Sequence, residues 1–140
     1  MTETIKVAHP GGDEAPRAED ARRVGTLRRI TAARLRHCGL QALIEDVGTI
    51  VSELLTNALL HSGATKITLH LGVRDGFLRV AVIDGMSGHA TLKHADDDNT
   101  SRRGLAFVEA LAKEHHGTWG TSDDGTLTWC NLAVPTEERS

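Results

Sequence analysis

The chain has 140 residues, a formal net charge of −3 from 16 basic and 19 acidic side chains, and only 3% aromatic residues. That length builds one hydrophobic core without disulfides or metal. The mild acidity, mixed along the chain, excludes neither fold nor enzyme but gives no electrostatic reason for binding nucleic acid or a membrane surface.

Residues 1–16 hold two of the three Pro and the Gly11-Gly12 pair, so they are expected to form a flexible tail with a short edge strand at Ile5 to Ala8. From Ala18 to Arg36, the residues Val24, Leu27, Ile30 and Leu35 recur at helical spacing among several Arg, which predicts an amphipathic helix with a solvated basic face. Gly39 ends it. A second helix is predicted from about Leu43 to His61, with Leu43, Val47, Ile50 or Val51, Leu54 and Ala58 as its buried stripe, stopped by Ser62-Gly63.

The segment KITLHLGV then alternates Ile67, Leu69, Leu71 and Val73 with polar residues, and RDGF leads into LRVAVID. Asp75-Gly76 between two runs of period two is a strong hairpin signal, so an antiparallel pair is expected. After Asp84 come about twenty residues without periodicity, longer than an inert connection needs, which favours a lid or binding loop. Gly104 opens a third helix carrying Leu105, Val108, Leu111 and Ala112, and GTWGTSDDGTLTWCNLAVP reads as two strands around Asp124-Gly125. The order predicts an α/β (α+β) two-layer sandwich, a mixed but mainly antiparallel sheet covered on one face by about three helices. The domain is expected over residues 17–136, with a C-terminal tail at 137–140.

Glu53, Asn57 and His61 are each four residues apart, so on a helix they form a polar row on one side, flanking the apolar stripe. One reading is a solvated i, i+4 pair worth a few tenths of a kcal/mol; the other is a shared site. The eight His include His89, His94 and His115-His116, yet no HExxH or Cys/His spacing occurs, and a structural zinc site is not expected. Ser52 and Ser62 lack a nucleophile-elbow pattern.

In this order, VSELLTNALLH, VAVIDGMSG and RRGLAFVEALA resemble the N, G1 and G2 boxes of the GHKL ATP-binding superfamily, and are most similar to the bacterial anti-sigma factor serine/threonine kinases. The resemblance spans about residues 18 to 135 and implies a Bergerat-type ATP-binding fold, ATP with Mg²⁺ as cofactors, and a sigma factor or an anti-sigma factor antagonist protein as partner. A homodimer is a further expectation from it. It assigns Glu53 as catalytic base, Asn57 as magnesium ligand and Asp84 as acceptor for the adenine amine. Met86, Gly88, His61, Arg102, Arg103, Gly104, Leu105 and Thr128 complete the expected nucleotide contacts, with Thr126 an alternative to Thr128.

Elementary chemistry agrees with several of these roles. Mg²⁺ is a hard cation that takes oxygen ligands, so an amide oxygen and phosphate oxygens suit it. A helix N-terminus such as that at Arg103-Gly104 suits phosphate, while His61 at a helix C-terminus also suits simple capping. Met86 and Arg102 stand where the superfamily favours Gly, and they motivate the alternative of a degenerate, non-catalytic interaction module of the same fold. Two lone thiols, Cys38 and Cys130, with no apolar leader, suggest a reduced, cytoplasmic protein. No apolar run approaches the roughly 20 residues of a membrane-spanning helix.

Overall fold

The computed structural model describes residues 1–6, 18–61, 66–84, 105–122 and 126–134. In chain order they form β1 (Thr2–Lys6), α1 (Ala18–His37), a 3-10 turn (Gln41–Leu43), α2 (Ile44–His61), β2 (Lys66–Arg74), β3 (Phe77–Ile83), α3 (helical residues 105–114), β4 (Thr118–Thr121) and β5 (Leu127–Ala133).

The five strands form one sheet in the order β1-β2-β3-β5-β4, with every neighbouring pair antiparallel. Asp75 and Gly76 both take positive φ, 54° and 82°, the signature of the tight hairpin turn that Asp-Gly favours, and this turn fixes the β2–β3 register. Strand alternation then sorts the side chains. Ile67, Leu69 and Leu71 of β2, Leu78, Val80 and Val82 of β3, and Cys130 and Leu132 of β5 are all buried beneath the helices. The opposite face carries Thr68 and His70, Arg79 and Ile83, and Trp129 and Asn131.

Helix α2 lies on β2 and β3 and closes the core with Val47, Ile50, Val51, Leu54, Leu55 and Ala58, while α1 packs against α2. The expected stripe of α1 shifts by one residue. Ile30 is 37% exposed and Thr31 is 1% exposed, because the sequence 27, 31, 35 advances by four and keeps Leu27, Thr31 and Leu35 in line. The Arg side chains of α1 are not all idle solvated charge. Arg23 donates to the Lys6 carbonyl and so ties α1 to β1, and the Arg28 guanidinium lies over Gly48 of α2.

The edge strand runs over Thr2–Lys6, earlier than the expected Ile5 to Ala8, and its register pairs Thr2 with His70 and Lys6 with Lys66. Ile5 faces the core from this strand, opposite Ile67. Val7 and Ala8 lie outside the described residues.

Candidate functional site

Helix α2 begins with Glu45 and Asp46 in its first turn, which suits the positive end of the helix dipole, and continues with the leucine-rich run that buries it. Asp46, Glu53 and Asn57 follow one another by seven and four residues, so they lie along one flank beside the buried stripe. Glu53 and Asn57 are both half-buried, and among the described residues neither has a hydrogen-bond or ion-pair partner. Two polar side chains thus sit half-buried beside the apolar stripe of α2.

The start of this flank meets α3. His115, just past the end of that helix, hydrogen-bonds through Nε2 to Asp46 Oδ2 at 2.6 Å, and the two side chains are only 20% and 34% exposed. Nothing in the sequence pattern announces this pair, since 69 residues separate its members. It accounts for one of the histidines that the metal reading had considered. Among the described residues, no three His, Cys, Asp or Glu side chains cluster to cage a metal ion.

α3 covers the other half of the sheet. Val108 and Ala112 are fully buried, Leu105 and Leu111 pack against the core, and Glu109 accepts from the Trp119 indole N–H of β4 at 3.3 Å. The Ala133 N–H of β5 donates to the His115 carbonyl at 2.9 Å. Thus α2 stands over β2 and β3 and α3 over β4 and β5, and β3 forms the floor where the two halves join.

Asp84 ends that floor strand. Its N–H donates to the Thr126 carbonyl at 2.9 Å, which continues the β3–β5 register one step beyond Ile83 and Leu127. Alternation from Val80 and Val82 places Asp84 on the helix-bearing side, with Thr126 opposite and Thr128 opposite Val82. The two threonines left as alternatives by the sequence therefore both border Asp84.

The expected site residues thus fall into two described groups, Glu53 with Asn57 on the flank of α2, and Asp84 with Thr126 and Thr128 at the end of the strand floor. Leu105, half-buried, belongs to α3 and packs against the core. His61 is the last residue of α2. Met86, Gly88, Arg102, Arg103 and Gly104, like the expected lid as a whole, lie outside the described residues.

The comparisons with known proteins bear on this fold of helices over one face of an antiparallel sheet. Residues 17–131 match the histidine kinase-like ATPase domain. The chain belongs to that family. Among solved structures, this histidine kinase-like ATPase domain is similar to the histidine kinase domain of the blue-light activated histidine kinase EL346 from Erythrobacter litoralis, with 22% identity and a TM-score of 0.55 over 86% of this chain. It covers 63% of that kinase chain. It is also similar to the Acinetobacter baumannii histidine kinase AdeS, with 17% identity and a TM-score of 0.51, covering 96% of this chain and 68% of the other. At these identities the likeness is one of fold. No curated protein matches the chain at a significant level.

Proposed function

We propose that the protein is an ATP-binding regulator of the anti-sigma factor type, which transfers the γ-phosphoryl group of Mg-ATP to a serine or threonine of an antagonist protein. The observation that supports this reading is the half-buried pair of Glu53 and Asn57 on the α2 flank, whose side chains have no partner among the described residues, on the same flank as Asp46, which meets His115.

The residues present fit the nucleotide and its metal. The Asn57 amide oxygen is a neutral hard ligand, suited to a cation whose remaining positions are filled by phosphate oxygens and water. Glu53, one turn earlier, would hold the attacking hydroxyl and accept its proton. At the end of β3, Asp84 accepts a hydrogen bond from the exocyclic amine of adenine, with Thr128 and Thr126 beside it. Arg102, Arg103 and Gly104, which the sequence resemblance assigns to the phosphates, would bring positive charge and a backbone donor to them. Mg-ATP, when bound, supplies the transferable phosphoryl group. The partner hydroxyl comes from the antagonist, and the alternative protein state holds a sigma factor. Among the described residues no helix is long and apolar enough to cross a membrane, and the free thiols Cys38 and Cys130 fit a cytoplasmic setting.

The test is transfer of radiolabelled γ-phosphate to a candidate antagonist by wild type and Glu53→Gln. The variant is expected to keep its ATP affinity and lose transfer by at least about 100-fold, the range of a general base. Equal transfer by both proteins removes Glu53 from the reaction, and nucleotide binding without transfer by either supports a non-catalytic interaction module.

A further inference from the structure

The face of the sheet turned away from the helices has an unusual composition. Cross-strand register lays its residues in rows: Thr4, Thr68, Ile83 and Leu127; then Thr2, His70, Ala81, Trp129 and Gly120; then Gly72, Arg79, Asn131 and Thr118; then Arg74, Phe77 and Ala133. Lys6 and Lys66 close one end as a further pair. Basic side chains thus enter from three strands, and among the described strand residues of this face there is no carboxylate, although the whole chain is net negative at −3. Glu3, the acidic residue of β1, pairs with Leu69 and faces the helices.

Between the basic groups lies an apolar strip on β3 and β5. Phe77 and Ile83 are 40% and 41% exposed, and no element among the described residues packs over them. The Trp129 indole lies flat across Gly120, where a Cβ would stand 2.8 Å from its Cζ2, and the Arg79 guanidinium sits 5.2 Å from the ring centroid. Trp129 is therefore a fixed, level platform with a cation on its outer side.

We propose that this open sheet face docks an acidic, amphipathic segment of a partner protein, its apolar side on Phe77, Ile83 and Trp129 and its carboxylates on Arg79, His70 and Lys66. Charge complementarity selects that occupant. A second copy of the chain, related by two-fold symmetry, would set this basic face against itself. Single-stranded nucleic acid needs several open aromatic faces for stacking, and the described strands offer Phe77 and one indole that Arg79 already covers. The inference does not depend on nucleotide binding, because the Asp84 and Asn57 groups lie on the helix-bearing side.

The experiment titrates the isotope-labelled full chain, without nucleotide, with a synthetic amphipathic helix bearing Glu on its polar side and Leu on the other. Amide shifts are expected on β2, β3 and β5, to shrink with added salt, and to need at least about fivefold more peptide in Arg79→Glu or in Lys66→Glu, both solvent-exposed strand positions. Circular dichroism of the two variants confirms that the fold is retained. The proposal is overturned if this face does not shift, or if the same helix with Lys in place of Glu shifts it equally. It is also overturned if an oligothymidylate binds there more tightly, or if the shifts depend on protein concentration alone and so report a second copy.

Discussion

Asn57 allows chemistry and packing to be separated, because its amide is half-buried yet makes no hydrogen bond among the described residues. Removing the amide strands no partner, so Asn57→Ala is expected to stay within about 0.5 kcal/mol of wild type in denaturant unfolding. Its ATP affinity is expected to lose the dependence on Mg²⁺ that wild type shows; an unchanged magnesium dependence places the metal elsewhere. Cys130 gives a residue-scale prediction of another kind. It is fully buried on β5, and burial pushes its thiol from 9.0 up to about 12. Below pH 9.0 the thiol is protonated in both folded and unfolded chains, so the stability is present in full. Between pH 9.0 and about 12 the unfolded chain releases a proton that the folded chain retains, and stability falls with rising pH by up to about 1.4 kcal/mol per unit from this group. Cys130→Ala should flatten that alkaline slope in pH-dependent unfolding, and an unaltered slope assigns it to other groups. Neither residue's environment was readable from the sequence alone. The i, i+4 spacing put Glu53 and Asn57 on one flank, but their half-burial comes from tertiary packing that local spacing does not encode.

The elements show the same division between local signals and distant ones. The Asp75-Gly76 hairpin, the Gly39 end of α1 and the two long helices were legible because period, turn chemistry and caps are encoded within a few residues. The one-residue shift of the α1 stripe from Ile30 to Thr31 was not. Thr31 is polar, its Oγ1 is buried without a hydrogen-bond partner among the described residues, and hydropathy alone assigns such a residue to the surface. The joint between α3 and the rest of the fold is a matter of close approach. A Cβ on Gly117 would stand 1.7 Å from the Asn131 carbonyl oxygen, so the backbone leaving α3 passes directly against β5. Gly117→Ala is expected to cost on the order of 1–3 kcal/mol, seen as a lower urea midpoint. An unchanged midpoint would mean that the two backbones part without penalty. The Asp46–His115 hydrogen bond holds the same helix end against α2, and His115→Ala is expected to cost about 1 kcal/mol in the same assay.

For the whole molecule, the sandwich of helices on one sheet face followed from element order and from the resemblance that the three boxes carry together. The sheet order β1-β2-β3-β5-β4 was beyond the sequence, because antiparallel pairing of β3 with β5 joins segments separated by the expected lid and α3. That pairing is what sets Asp84 beside Thr126 and Thr128 and makes one strand the floor under both helices. It also leaves the far face without a covering helix among the described residues, with the basic and apolar rows that suit an acidic partner. Whether this floor and the α2 flank together hold Mg-ATP is decided by calorimetric titration of Mg-ATP into wild type and Asp84→Asn. Binding heat is expected with wild type, with a rise in melting temperature of about 10 °C at a hundredfold excess over Kd, and loss of both in Asp84→Asn. No heat from wild type at millimolar Mg-ATP, or equal heats from the two proteins, contradicts it.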